Sequence, residues 1–274
     1  MTNSLFGSIS DTSKWIYHYT SRETALEYIF TSGKIQLNTF ANLNDPRESK
    51  DWSFSLSVPD DVEIDSEEFF DIQRQGTNYA KNHCKILCMV QDDPRAVANG
   101  PDYMFHRGFS RPRMWAQYSG NHTGVCLIFD RAKLEETIKL ELTAKGDIYF
   151  GEVQYVSLHP DEVDAFNLSY EEIFDTSLDA TIDSKIKKYY KNYYFSKVED
   201  WSNENEWRCI LRGNSTMPEY VSISDSICGI VLGGDFPSVY EPAITPFGVE
   251  FSVNIGRIAW RNGQPVILPG PQPA

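Results

Sequence analysis

The run Glu206-Trp207-Arg208-Cys209-Ile210-Leu211 alternates with a period of two, and it is the tightest constraint on how the chain folds. In an extended strand Glu206, Arg208 and Ile210 share one face, and Trp207, Cys209 and Leu211 share the other. Comparable strand-like runs are Trp15–Thr20, Lys34–Asn38, Cys84–Val90, Val125–Phe129, Ile148–Leu158, Ile227–Leu232 and Val249–Val253. Between them lie helical stretches. Ser21 offers an N-cap to a helix that puts Ala25, Leu26, Ile29 and Phe30 on one face and ends at Gly33. Further helices are expected over Glu67–Asn82, over Pro112–Tyr118, after Asp130 to Leu140, and from Asp161 to Phe195. Strands and helices mix without a regular βα rhythm, so the class is α+β.

The chain has 274 residues and no Gly/Ser/Pro-rich linker in its interior, which favours one domain over 1–274. Its core is expected over about residues 15–260, with 264–274 a flexible Pro/Gly-rich tail. The net charge is −14, from 39 acidic and 25 basic residues, which argues against broad nonspecific nucleic-acid binding. Five cysteines sit singly in apolar runs, as reduced core thiols of a cytoplasmic protein do. Cys84 and Cys88 follow His83, but that segment reads as a buried strand, so no metal site is expected there. Met1–Gly7 has no basic start, and no apolar run approaches the ~20 residues a spanning helix needs. A soluble chain without a membrane partner is expected.

Several clusters have side chains suited to chemistry. Glu204 and Glu206 stand beside Arg208, a pattern that suits stabilisation of a developing positive charge; the alternative is an ion pair on a solvated edge strand. His18 lies between Tyr17 and Tyr19 and ahead of Thr20 and a capped helix, so it is placed to meet a ribose diol or a phosphate. Trp115 and Tyr118 fall on one helical face, where they either pack inward or stack on a flat ligand. Arg107, Arg111 and Arg113 precede them, in a long loop over Gln91–Arg113. Asn44-Asp45-Pro46 reads as a turn ahead of a helix, and Glu48 with Lys50 forms a Glu-x-Lys string of the kind metal-dependent nucleases use.

Taken in order, Tyr17-His18-Tyr19-Thr20, Asn44-Asp45-Pro46-x-Glu48, Met114-Trp115-x-x-Tyr118, Gly151-Glu152-Val153-x-Tyr155 and Glu204-x-Glu206-Trp207-Arg208 resemble the segments of a widespread bacterial family of unknown function. The resemblance covers about Trp15 to Leu232. That family in turn resembles the ADP-ribosyltransferase superfamily, of the His-Tyr-Glu type. The resemblance implies a split, mainly antiparallel sheet with NAD, the substrate, in its cleft. It makes Glu206 the catalytic carboxylate, with Glu204 second. His18, Tyr19, Thr20, Tyr118, Trp115 and Arg208 would bind NAD. It further implies transfer of ADP-ribose to a macromolecule, nucleic acid before protein, by a toxin or anti-phage defence effector with a possible neutralising antitoxin. The loop Gln91–Arg113 and the face carrying Lys185, Lys187, Lys188 and Lys191 are the candidate contacts for a nucleic-acid acceptor. The competing readings are a metal-dependent nuclease using Asp45, Glu48 and Lys50, and a noncatalytic binding module.

Overall fold

The computed structural model describes residues 13–40, 43–50, 52–95, 102–157 and 162–271; Met1–Gly7, part of the loop before Arg113, and Leu158 lie outside them. Fourteen strands are described: β1 Trp15–Thr20, β2 Lys34–Thr39, β3 Ser55–Ser57, β4 Cys84–Gln91, β5 Val125–Asp130, β6 Asp147–Glu152, β7 Gln154–Tyr155, β8 Asn167–Ser169, β9 Ser196–Lys197, β10 Glu206–Arg212, β11 Glu219–Ser222, β12 Ile227–Leu232, β13 Asn254–Arg261 and β14 Gln264–Pro269. Ten of them form one sheet in the order β11-β2-β4-β1-β5-β12-β13-β14, with β10 joined to β4 and β6. Every ladder in it is antiparallel except β12 with β13. The fold is therefore α+β, with a large, mostly antiparallel sheet flanked by helices.

The sheet divides along β4. On one edge β4 pairs with β10 over its length, from Arg212↔Cys84 to Glu206↔Val90. On the other edge it pairs with β1 only at Ile16↔Gln91 and Tyr17↔Val90, and with β2 only at Asn38↔Ile86 and Thr39↔Lys85. Leu87, Cys88 and Met89 thus have no strand partner on that edge among the described residues. β1 instead continues along β5, from Trp15↔Asp130 to Thr20↔Val125.

The alternation of β10 places its side chains in two cores. Trp207, Cys209 and Leu211 pack with Leu134, Ile138 and Leu142 of the helix Arg131–Leu142, which Asp130 caps by accepting from Lys133 N. Those three helical positions recur every four residues, one buried stripe of an amphipathic helix. Ile210 packs into a second core with Ile182 and Ile186 of the helix Leu178–Tyr194 and with Phe40 and Phe54. A third cluster joins Tyr17 and Tyr19 of β1 to Phe109, Met114 and Trp115. Since all seven residues of β10 are buried and strands flank both edges, it is a central strand, and the edge-strand alternative is excluded.

The Ser21 cap forms, with Oγ accepting from Thr24 N at 3.1 Å, and Gly33 ends the helical stretch at φ 63°. Residues 25–29 within it widen into a π-helical turn. Four expectations are corrected. The Val249–Val253 strand is absent: Val249 and Glu250 end the helix Glu241–Glu250, anchored by Phe247 stacked 4.8 Å from Phe30, and Ser252 and Val253 turn back to donate to Val249 O and Gly248 O. Gln264–Pro269 of the Pro- and Gly-rich tail form β14, paired with β13 from Arg261↔Gln264 to Gly256↔Pro269, and 272–274 lie outside the described residues. Asp161–Phe195 is divided by β8, which pairs with β3. Ile148–Leu158 breaks after Val153, whose N–H makes the last bond to β10 at Glu206 O; Gln154 N–H turns away to Phe195 O, and β7 pairs with β9.

Candidate active site

A cavity of about 250 Å³ opens where β1 and β2 part along β4. His18 of β1 sits at the parting, with Nδ1 3.3 Å from Cys88 O. Burial lowers the imidazole pKa against the opposing pull of that carbonyl, so the ring is neutral near pH 7. Around it the cavity is walled by Tyr17, Tyr19, Met114, Tyr118 and Asn44, and three carboxyl groups, Glu48, Glu204 and Glu206, line it with Lys197.

The local chain geometry explains why Glu204 and Glu206 converge. Residues Glu199–Glu204 form a 3₁₀ turn, and Asn205 follows at φ 46°, a left-handed conformation that Asn tolerates better than most side chains. The Asn205 amide fixes this bend by donating to Gln91 O at 3.2 Å and Asp92 O at 3.0 Å. Strand β10 therefore starts at Glu206 rather than earlier, and both carboxylates reach Lys197. Its Nζ lies 2.7 Å from Glu204 Oε2 and 2.9 Å from Glu206 Oε2.

Each oxygen of Glu204 and Glu206 is engaged. Arg208 clasps Glu206 with Nε to Oε1 at 2.8 Å and Nη2 to Oε2 at 3.0 Å, while its Nη1 donates to Tyr194 O at 2.6 Å. Tyr118 donates its hydroxyl to Glu204 Oε1 at 2.7 Å. Burial disfavours the charge on Glu206, but Arg208 and Lys197 outweigh it and bring the pKa down to about 2. Burial likewise opposes the charge on Lys197, and the three carboxyl groups, Glu206 foremost, hold its pKa above the ordinary lysine value. Glu48 belongs to the same network through an ion pair of its Oε1 with Arg208 Nη2. Its Oε2 is buried and has no hydrogen-bond partner among the described residues.

Of the residues expected from sequence to form the site, His18, Tyr19, Tyr118, Glu204 and Glu206 line this cavity. Thr20, Trp115 and Arg208 do not. Trp115 is wholly buried, packs edge-on against Tyr19 and donates Nε1–H to Phe109 O at 2.8 Å, so it supports the wall as core. Tyr19 is itself held by donation to Gly108 O at 2.6 Å. Arg208 lies fully buried behind Glu206 and orients it. Lys197 was missed: a lone lysine between Ser196 and Val198 gives no sign that two acidic groups surround it. Glu48 enters the sequence reading only in a family segment and in the competing nuclease string with Lys50.

Asp45 caps its short helix by accepting from Arg47 N at 2.9 Å, and Lys50 is exposed. Among the described residues no group of three or more His, Cys, Asp or Glu is placed to hold a metal ion. The loop arginines are also committed to the fold. Arg107 is buried against Asp92 at 3.4 Å and donates to Tyr17 Oη, and Arg111 donates to Asn203 O at 2.8 Å.

Residues 114–209 match the family model described as a protein of unknown function, DUF2971. The matched stretch runs from the Tyr118 helix through Lys197, Glu204, Glu206 and Arg208, and stops short of His18 and Glu48. No curated protein and no solved structure matches the chain. No helix of the described residues is long and apolar enough to cross a membrane.

Proposed function

We propose that the chain is an NAD-dependent ADP-ribosyltransferase that modifies a macromolecular acceptor, nucleic acid in preference to protein. The observation that supports this most is the cavity at the parting of β1 and β2, where a neutral His, a Tyr and a Glu whose pKa is held well below the ordinary value face one space. Cleavage of the nicotinamide–ribose bond passes through a cationic, oxocarbenium-like state and releases a neutral base. A carboxylate that stays charged throughout the working pH range stabilises that state and needs no proton to do so. Glu206 fits this role. Arg208 and Lys197 fix its position before substrate arrives, and Tyr118 lines the same cavity.

The cavity is smaller than the ~300–1,000 Å³ of most small-molecule sites, so it suits one ring and its sugar rather than a whole dinucleotide. The adenylate end would then lie outside it. For an acceptor of nucleic acid, Lys187, Lys188 and Lys191 present an exposed basic strip on an otherwise acidic molecule. A toxin or defence role, with a neutralising partner, is the biological setting in keeping with such chemistry. The resemblance to ADP-ribosyltransferases rests on sequence segments, and the function is argued from the site.

The test is incubation of the purified chain with adenylate-labelled NAD and separate pools of DNA, RNA and cell protein, beside Glu206→Gln. Label is expected in one pool with the wild type and in none with the variant, whose thermal melt must still show a folded protein. Equal labelling by a folded Glu206→Gln removes Glu206 from the reaction. Absence of both label and free nicotinamide from the wild type rejects NAD as the substrate.

A further inference from the structure

We propose that Glu48 accepts the proton of the incoming nucleophile during transfer, an inference that rests on the ADP-ribosyl-transfer reading above. Three carboxyl groups face the cavity, and two have no oxygen to spare. Glu206 is clasped by Arg208 and Lys197, and Glu204 holds the Tyr118 hydroxyl on one oxygen and Lys197 on the other. Glu48 lines the cavity; its Oε1 contacts Arg208, whereas its Oε2 is buried without a partner among the described residues. An unpaired buried carboxylate oxygen is costly, and the natural occupant is a donor brought by a ligand.

The groups facing Glu48 are Arg208 and Glu206 from β10, Lys197 from β9, Glu204 from the preceding turn, Tyr118 from its helix, and His18 and Cys88 from β1 and β4. Burial raises the Glu48 pKa, and Arg208 and Lys197 only partly offset this. A carboxylate with raised pKa is a better proton acceptor near neutrality than Glu206. In the transfer step the C1′–N bond breaks with its electron pair going to nicotinamide, which leaves neutral. The bond from the nucleophile to C1′ forms, and the nucleophile's proton passes to Glu48 Oε2. The acceptor is therefore a hydroxyl or amino group that carries a proton it must lose.

Two nucleophiles separate this from a structural role. Azide has no proton to give up, whereas methanol does. With NAD and each in turn, Glu48→Gln is expected to lose methyl-ADP-ribose formation by about 100-fold, the lower share of general-base catalysis, yet to keep formation of ADP-ribosyl azide. Glu48→Asp should restore part of the methanol product. Loss of both products alike overturns the proposal. Infrared spectra of the unliganded chain supply an arm that needs no NAD: a protonated-carboxyl band absent from Glu48→Gln should titrate above the ordinary glutamate range. A Glu48 carboxyl that titrates within or below that range overturns the proton step alone. A wild type that makes neither product overturns the transfer reading and the proton step together, whatever the infrared band does.

Discussion

At the residue scale, the site is a five-member charge network in which each group is tolerable only because of the others. Lys197 is its hinge, since it touches both Glu204 and Glu206. Removing one partner of a buried pair leaves the other charge without compensation, so Lys197→Met should cost about 3–5 kcal/mol in urea unfolding. The same variant should alter the acid limb. The Glu206 pKa in the folded chain, about 2, lies below its ordinary value of 4.5, so its stabilisation is present above about pH 4.5 and is lost as pH falls toward 2. With one cation gone that shift shrinks, and stability measured between pH 5 and 2 should fall less steeply than in the wild type. His18, Tyr118, Glu204 and Glu206 were legible in the sequence because their types and spacing carry chemistry locally. Lys197 and the free oxygen of Glu48 were not, because each acquires meaning from residues 7 to 160 positions away that only folding brings together.

At the element scale, the strands that carry the site were readable, since the alternation in β1, β4, β5, β10 and β12 is set by burial on two faces. The C-terminal region was not. Pro242, Pro246 and Gly248 are all poor interior helix residues, yet residues 241–250 are helical because Pro242 falls in the first turn and Phe247 and Phe251 pack on Phe30. In the tail, Pro265 and Pro269 reside in β14, an edge strand, which is where a sheet accepts proline. Composition alone reads such a stretch as loose. Ile267 of β14 packs against the cluster that contains Ile258 and Tyr17. Deletion of residues 263–274 should therefore lower stability by at least about 2 kcal/mol, the order of one buried aliphatic side chain. An unchanged thermal midpoint would mean that β14 adds nothing to the sheet.

At the scale of the whole molecule, β4 and β10 contribute side chains to the helix-covered cores on both faces of the sheet. Neither core can come apart without disrupting the strands that floor the other. Far-UV circular dichroism and tryptophan fluorescence should accordingly report one coincident urea transition. Two separated transitions would mean the two faces are independent. Sheets are ordinarily vulnerable at their outermost strands, whose open backbone groups can recruit another chain into aggregates. Here a stretch of open backbone, Leu87–Met89, lies inside the sheet, bounded at one end by β1 and at the other by β2. It is too short and too enclosed to template a strand from another molecule, and its Cys88 carbonyl already meets the His18 ring, so the gap is open to a small solute and closed to self-assembly.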